Sequence, residues 1–444
     1  MQGRTTHWKA GNGKISTTKN VDIKGRLMMN GGTYNKTAVI GNYNDGAEYE
    51  ILSTDDIGAL INSLFVSYDN IKILNGNYLL QTKIIMGNSQ QLIGQGFHTK
   101  ISLDDSMNID MLYSEGDRIT IDSIYFDGNK ANNSTGHGLV FFNAFIPVVR
   151  RCWIYDIAQD AITGDGDVSP KTSVLTIETC VIERAGRDSI VFNNNCQDPV
   201  ILNTFTQDAT RYGLHLNANF GSVITNSHFY RNKDHNVFIN GGARHRFNNI
   251  TADRSQNWSF YLTGSAKDVI IQESIIFDSN QSNTGCGGIF IGGGAKRNII
   301  TGNSIYDEQG VKTMDYGIQI DAGSKDNIVK NNIIEDIAVA NRYIINDTFN
   351  GVSYHKDKTT TYKHDIGIEG SLVLGTTGTH QLFNNFNGDL YLKDSAESNI
   401  FTFEKTGMLI QNNNTIVIGG RMFEKQTIGS VPPVEALVDV GSYP

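Results

Sequence analysis

The chain is poor in proline, cysteine, tryptophan and positive charge. Its 444 residues include 6 prolines, 4 cysteines and 3 tryptophans, with 37 basic side chains against 46 acidic ones. The cysteines, Cys152, Cys180, Cys196 and Cys286, make no disulfide scaffold and show no CxxC or Cys/His metal spacing. A net charge of −9 without a Lys/Arg run gives a nucleic-acid partner no support. No stretch approaches the ~18 consecutive apolar residues of a membrane span, so no membrane insertion is expected. The opening segment around His7 and Trp8 lacks the apolar core of a secretory signal, and the expectation is a chain that folds in a reducing cytoplasm.

Glycine, by contrast, is abundant at 46 residues, and asparagine makes up roughly a tenth of the chain. With 39% apolar residues this is neither a disordered nor a collagen composition. It suits short strands joined by tight turns, where Gly and Asn tolerate positive φ. Single cores stop growing near roughly 250–300 residues, so a chain of this length calls for a repetitive core.

A repeat is present. Cys152-Trp153-Ile154, Cys180-Val181-Ile182, Thr204-Phe205-Thr206, Ser227-His228-Phe229, Asn249-Ile250-Thr251, Ser274-Ile275-Ile276, Ser304-Ile305-Tyr306 and Asn332-Ile333-Ile334 form one series. Each is followed by a second apolar alternation, such as Ala161-Ile162-Thr163-Gly164, Gly213-Leu214-His215-Leu216 or Gly317-Ile318-Gln319-Ile320. Period two over four or five residues means strand. Units this short cannot bury a face alone, but stacked in parallel they share one core. The fold expected is all-β: a right-handed, single-stranded parallel β-helix. Its inward positions are Ile162, Ile190, Leu214, Val237, Phe260, Ile289 and Ile318. Asn203, Asn226, Asn248, Asn303 and Asn331, interrupted by Glu273, predict a ladder of amides at one corner. Cys152 and Cys180 share a column, as buried stacked thiols. Residues 53–64 open with Ser-Thr-Asp and carry apolar residues at helical spacing, which predicts a short helix capping the N-terminal end.

The segments "IKILNGNYLL" and "QLIGQGFHTKI" after that helix, and the later "NIITGNSIYDEQ" with "GIQI", carry a resemblance. Over roughly residues 50–340 the chain resembles the pectate-lyase-like right-handed β-helix proteins, which include bacteriophage tailspikes and polysaccharide depolymerases. That fold hosts hydrolases, lyases, epimerases and adhesins, so the resemblance specifies architecture more than chemistry. The polygalacturonase-type signature is not recognisable; "TGHGL" at 135–139 matches three letters without their partners. The domain plan has a polar segment over 1–48, the capping helix and β-helix over 49–352, and a β-rich module over 353–444 for oligomerisation or carbohydrate binding. The resemblance implies that such ends trimerise or attach to a phage particle.

On a solenoid, residues far apart in sequence meet when they share a column, one strand spacing of ~4.8 Å apart. One column reads His137, Asp160, Asp188, Tyr212, His235, Trp258, flanked by Gln159, Arg187, Arg211, Asp234. A central outward column reads Val140, Thr163, Val191, His215, Phe238, Tyr261, and a third Phe142, Asp165, Asn193, Asn217, Asn240, Thr263. Two stacked carboxylates disfavour double ionisation, so Asp160 and Asp188 are the expected acid and base, with Asp165 or Asp167 of "GDGD" as alternative partners. Adjacent Arg187 and Arg211 either hold an anionic sugar or pair with Glu183, Asp208 or Asp188. Tyr212, Trp258 and Tyr261 are expected to stack on sugar rings, with His235 beside them and Phe238 in the core. No cofactor and no metal centre are expected, although "GDGD" offers oxygen ligands of the kind calcium takes.

The expected function is a tailspike-like depolymerase that hydrolyses a capsular or cell-wall polysaccharide. The alternatives are a uronate lyase built on Arg211, Tyr212 and His215, and a non-catalytic adhesin. A homotrimer is expected, on a virion tail after folding in the host cytoplasm, or extracellular.

Overall fold

A computed structural model of the chain describes residues 36–338, apart from 168–170, 283–284 and 322, together with the backbone of short strands between Met28 and Ser442. The chain divides into two compact units, Met1–Asp365 and Ile366–Pro444.

The first unit is a parallel β-helix. Each turn lays one strand in each of three sheets, and every strand hydrogen-bonds to its counterpart one turn on. Sheet I has 13 strands and runs up to Ile328–Lys330, while sheets II and III have 11 each, reaching Ile333–Glu335 and Tyr343–Ile345. The sequence pattern marks sheets II and III. The third strand of each turn, such as Val200–Leu202 or Val223–Thr225, sits two residues ahead of the sheet II strand. Sheet I already includes Thr37–Asn42, inside the segment assigned to the polar N-terminal part, because that strand pairs in parallel with Asn70–Ile73.

Pleating sends alternate residues inward. Ile162, Ile190, Leu214, Val237, Phe260, Ile289 and Ile318 align in one sheet III column and are all fully buried. Phe229 from sheet II and Ile224 and Phe247 from sheet I fill the same interior. Each large side chain so buried contributes roughly 1.5–3 kcal/mol, and the stack makes that contribution repeat.

Single left-handed residues make the corners. Between sheets I and II the column Arg151, Thr179, Asn203, Asn226, Asn249, Glu273 and Asn331 has φ between 49° and 56°. Asn is enriched there because its short side chain tolerates that conformation. The predicted amide ladder therefore divides into two columns. Asn203, Asn226 and Asn331 take the left-handed position with Asn249, whose Nδ2 donates to Asn226 Oδ1 at 2.8 Å. Asn248 lies on the strand before it. Asn303 belongs to the next column, buried, where its Nδ2 donates to Asn332 Oδ1 (2.9 Å) and to the Ile271 carbonyl (3.0 Å). One column needs a left-handed residue and the other a donor for buried carbonyls; Asn serves both. Cys152 and Cys180 are buried and unbridged in adjacent turns, and burial pushes the Cys152 thiol well up.

The helix α1, Ile57–Phe65, buries Ile57, Ile61, Leu64 and Phe65 over the first turns. Asp56 caps it, accepting from the Gly58 amide (3.0 Å) and also from those of Gln81 (2.9 Å) and Thr82 (3.1 Å). No helix among the described residues is long and apolar enough to cross a membrane.

In the second unit the backbone forms two antiparallel sheets, one of four strands between Gln381 and Ile410 and one of three between Thr415 and Ser442.

Candidate functional site

The register of sheet III brings the expected columns together. His137, Asp160, Asp188, Tyr212, His235 and Trp258 stand two residues ahead of aligned inward positions, and Val191, His215, Phe238 and Tyr261 stack on the outward face. The lower turns of this face are ionic and the upper ones aromatic.

In the ionic turns each arginine reaches one turn back. Arg187 donates through Nε to Asp160 Oδ1 (2.6 Å) and through Nη2 to Oδ2. Arg211 repeats this with Asp188 at 2.7 and 2.5 Å. Both carboxylates are completely buried, and Asp160 also accepts from the Asp188 amide at 3.1 Å. Asp160 corrects the expectation of a raised carboxyl pKa. Burial opposes its charge, but the Arg187 and His137 hydrogen bonds outweigh that and hold it down at about 2. A carboxylate in that state has no proton to deliver at neutral pH. The side-by-side arginines are neutralised by this ladder, yet their side chains remain 45% and 38% exposed, so their outer edges still face solvent.

Asp188 also holds His215, with Nδ1 3.0 Å from Oδ2. The imidazole lies between Tyr212 and Phe238, each with its centroid 5.2 Å away, and its Nε2 is buried without a hydrogen-bond partner. A carboxylate on Nδ1 fixes the tautomer that leaves Nε2 as an acceptor. Burial pushes the Tyr212 hydroxyl up to about 12, so it stays protonated at neutral pH.

Asp165 is only partly buried. It accepts from Asn193 Nδ2 (2.9 Å), at the foot of an amide ladder in which Asn217 bonds Asn193 and Asn240 bonds Asn217, each at 3.2 Å. Asp167 accepts from Asn143 Nδ2 at 3.0 Å. Among the described residues no group of three or more His, Cys, Asp or Glu side chains is placed to hold a metal ion.

The aromatic turns differ from expectation. Tyr212 stacks on Phe238 (4.4 Å, 19°) and Tyr261 on Phe290 (4.6 Å, 17°). The rings lie on one another, so they offer edges and hydroxyls to solvent, and a sugar cannot use their faces. Phe238 is half-exposed on this outward column and not in the core. Trp258 is buried, tilted against Phe290 at 5.3 Å. His235 is buried too, sandwiched in parallel between Tyr212 (5.7 Å) and Tyr261 (4.5 Å). Burial drives its imidazole down to about 4, so it is neutral at pH 7.

Sheet II carries a second polar face that the column reading passed over. Tyr125 stacks on Trp153 at 5.2 Å, and Trp153 Nε1 donates to Glu183 Oε2 at 2.7 Å; Gln207 holds the other oxygen. Two turns above Glu183, His228 Nε2 meets Asp253 Oδ1 of the next turn at 2.5 Å. The signal was present: His228 aligns with Thr251, two residues before Asp253, and outward residues on one strand differ by two.

A solenoid of this topology belongs to the parallel β-helix class, and comparison with known proteins gives its hand. A family model described as a right-handed beta helix region matches residues 212–386. In solved structures the fold is similar to the ORF18 protein of Geobacillus virus E2, at 10% identity and TM-score 0.54, covering 87% of this chain and 83% of that one. It is similar as well to the A-module of a mannuronan C-5 epimerase from Azotobacter vinelandii (15% identity, TM-score 0.52, 69% of this chain and 97% of that one). A third is the DFA-IIIase of Arthrobacter chlorophenolicus A6 without its lid, at 13% identity, TM-score 0.52, and 70% and 94% coverage. No curated protein matches the chain.

Proposed function

We infer that the protein binds an anionic polysaccharide along sheet III and cleaves it by β-elimination. The observation that carries this is the Asp188–His215 couple beside Arg211 and Tyr212. In the reaction His215 Nε2 takes the proton from C5 of a uronate. The electron pair forms the C4–C5 double bond, the C4–O bond breaks, and the leaving oxygen takes a proton from the Tyr212 hydroxyl. The free edges of Arg187 and Arg211 neutralise the uronate carboxylate as charge develops. Tyr212 covers Nε2 in the unliganded protein and yields its place to the bound sugar.

Hydrolysis is the second reading. Asp165 favours it: of the three expected carboxylates it alone has no arginine and keeps solvent access. The epimerase neighbour, named for chemistry at C-5 of mannuronan, makes that polymer the first glycan to test. The viral neighbour makes a virus particle the place to look for attachment, and light scattering tests the trimer.

The test is product formation. Elimination gives absorbance from a 4,5-unsaturated uronate that His215→Asn abolishes while glycan binding survives. New reducing ends without that absorbance, lost in Asp165→Asn and kept in His215→Asn, would transfer the activity to hydrolysis. Binding without either product would make the protein an adhesin.

A further inference from the structure

The corner between sheets III and I carries a fourth column of backbone bridges, joining Gln197, Phe220, Ala243, Lys267, Lys296 and Lys325 in consecutive turns. Its upper three members are lysines, stacked one strand spacing, ~4.8 Å, apart. Among the described residues none of these lysines comes within ion-pair distance of a carboxylate, although the charge of Lys267 acts on Asp268. Arg244 and Arg246, exposed beside them, do not either. Three aspartates stand on this corner against these five basic residues: Asp268 and Asp326 beside the lysines, and Asp198 lower down. Asp268 is bonded by Arg297 through Nε (2.8 Å) and Nη2 (2.9 Å), and Arg297, Lys267 and Arg244 together hold its carboxyl down. Stacked like charges repel, and an anion laid along them relieves that repulsion. In a chain of net charge −9 this basic corner is a local reversal of sign.

A second observation lies on the same corner. Directly below the lysines, Gln197, Asp198, Phe220, Gly221 and Arg244 line a cavity of about 290 Å³, close to the lower limit of ~300 Å³ for small-molecule sites. Gln197 and Phe220 belong to the bridge column itself, so cavity and ladder form one continuous track.

We propose that this corner is an anchoring site, separate from the sheet III face, for a linear glycan bearing one carboxylate or phosphate per sugar. Such a chain lies parallel to the solenoid axis, with successive anions on Lys325, Lys296 and Lys267 and a sugar ring against Phe220 in the cavity. The pitch selects the partner. A rung spacing is about one sugar ring, whereas the phosphates of one DNA strand rise ~3.4 Å each along a helical path that turns away from a straight ladder. The anchor holds a long polymer near sheet III while short fragments leave freely.

The experiment uses the full chain and a triple variant, Lys267→Gln with Lys296→Gln and Lys325→Gln. Both are titrated with polygalacturonate, with poly(glycerol phosphate) and with duplex DNA at several salt concentrations. Lys325 is exposed and Lys267 and Lys296 are partly so, and the substitutions remove like-charge repulsion, so the thermal unfolding midpoint is expected to hold or rise. The expected result is that wild type binds one or both glycan polymers. The variant binds at least about tenfold more weakly, with a flatter salt dependence, since three charged contacts are gone. Which polymer binds identifies the anion. Equal affinity and equal salt slope for variant and wild type would overturn the proposal, as would binding of DNA but of neither glycan. The cleavage reading fails separately: polymer binding lost in the lysine variant but kept in His215→Asn, with no cleavage product from wild type, leaves the anchor standing and removes the elimination chemistry.

Discussion

Sheets II and III each hold an aspartate–histidine couple, and their surroundings make them different devices. On sheet III the His215 side chain is 12% exposed, and its carboxylate partner is shared with Arg211. On sheet II the His228 side chain is 39% exposed, and Asp253 bonds no arginine, since Arg254 turns to Asp278 instead. The residue types and the scaffold are the same. A neighbouring arginine shares Asp188, and two aromatic rings flank His215, whose far nitrogen is buried. Pairing and covering, more than residue identity, set the two couples apart.

The largest expected effect breaks the sheet III couple. Arg211→Met leaves Asp188 buried with His215 as its main partner, and losing one member of a buried pair costs about 3–5 kcal/mol. Chemical denaturation should show this. Arg254→Met on sheet II should shift the same curve by less than about 1 kcal/mol, because Arg254 is largely exposed and sits 3.5 Å from its partner.

Acid sharpens the contrast. His235 on sheet III and His245 at the neighbouring corner titrate at about 4 in the folded protein and near 6.5 when unfolded. Their folded values are depressed, so the unfolded chain binds more protons, and stability present above pH 6.5 is lost on falling towards pH 4. Each histidine is expected to contribute up to about 3 kcal/mol of that loss. Asp160, held at about 2, adds a further ~2 kcal/mol lost between roughly pH 4 and 2. Hydrogen exchange should find sheet III opening before sheet II as pH falls, and His235→Phe with His245→Phe should flatten the first part of the slope. A uniform loss of protection in both sheets would remove the contrast. The smallest effect is His228→Gln, which retains a donor for Asp253 and should alter unfolding by about 1 kcal/mol or less.

Much of this was legible before any coordinates. Parallel stacking with period two is a strict rule, so aligning Leu214 with Val237 also aligned Tyr212 with His235 and His215 with Phe238. Pairing between columns was harder to read. Arg187 reaches Asp160, one turn back and one column across, a partner that alignment alone does not single out. The ring stacks show the same limit: a column of aromatics in sequence does not say whether faces or edges meet the solvent. Sheet I was missed because its three-residue strands run into the sheet II strands with only a two-residue corner between, as at Asn203-Thr204. His228 and Asp253 were overlooked for a simpler reason, since only the sheet III series was aligned for its outward residues.

The lid over the first turn has a consequence for how such a molecule can grow. A stack of parallel strands is a template that would accept another strand at either end, from its own kind as readily as from a stranger. With α1 laid over the first strands and Asp56 clasping the backbone at Gln81 and Thr82, strand addition is blocked at the first turns of sheets II and III, while sheet I continues past the helix through Thr37–Asn42 and Tyr49–Ile51. During synthesis, turns are laid down outward from a closed foundation, and in descent a duplicated turn can be spliced in above the lid without disturbing it. The molecule is thereby given a direction as well as a length.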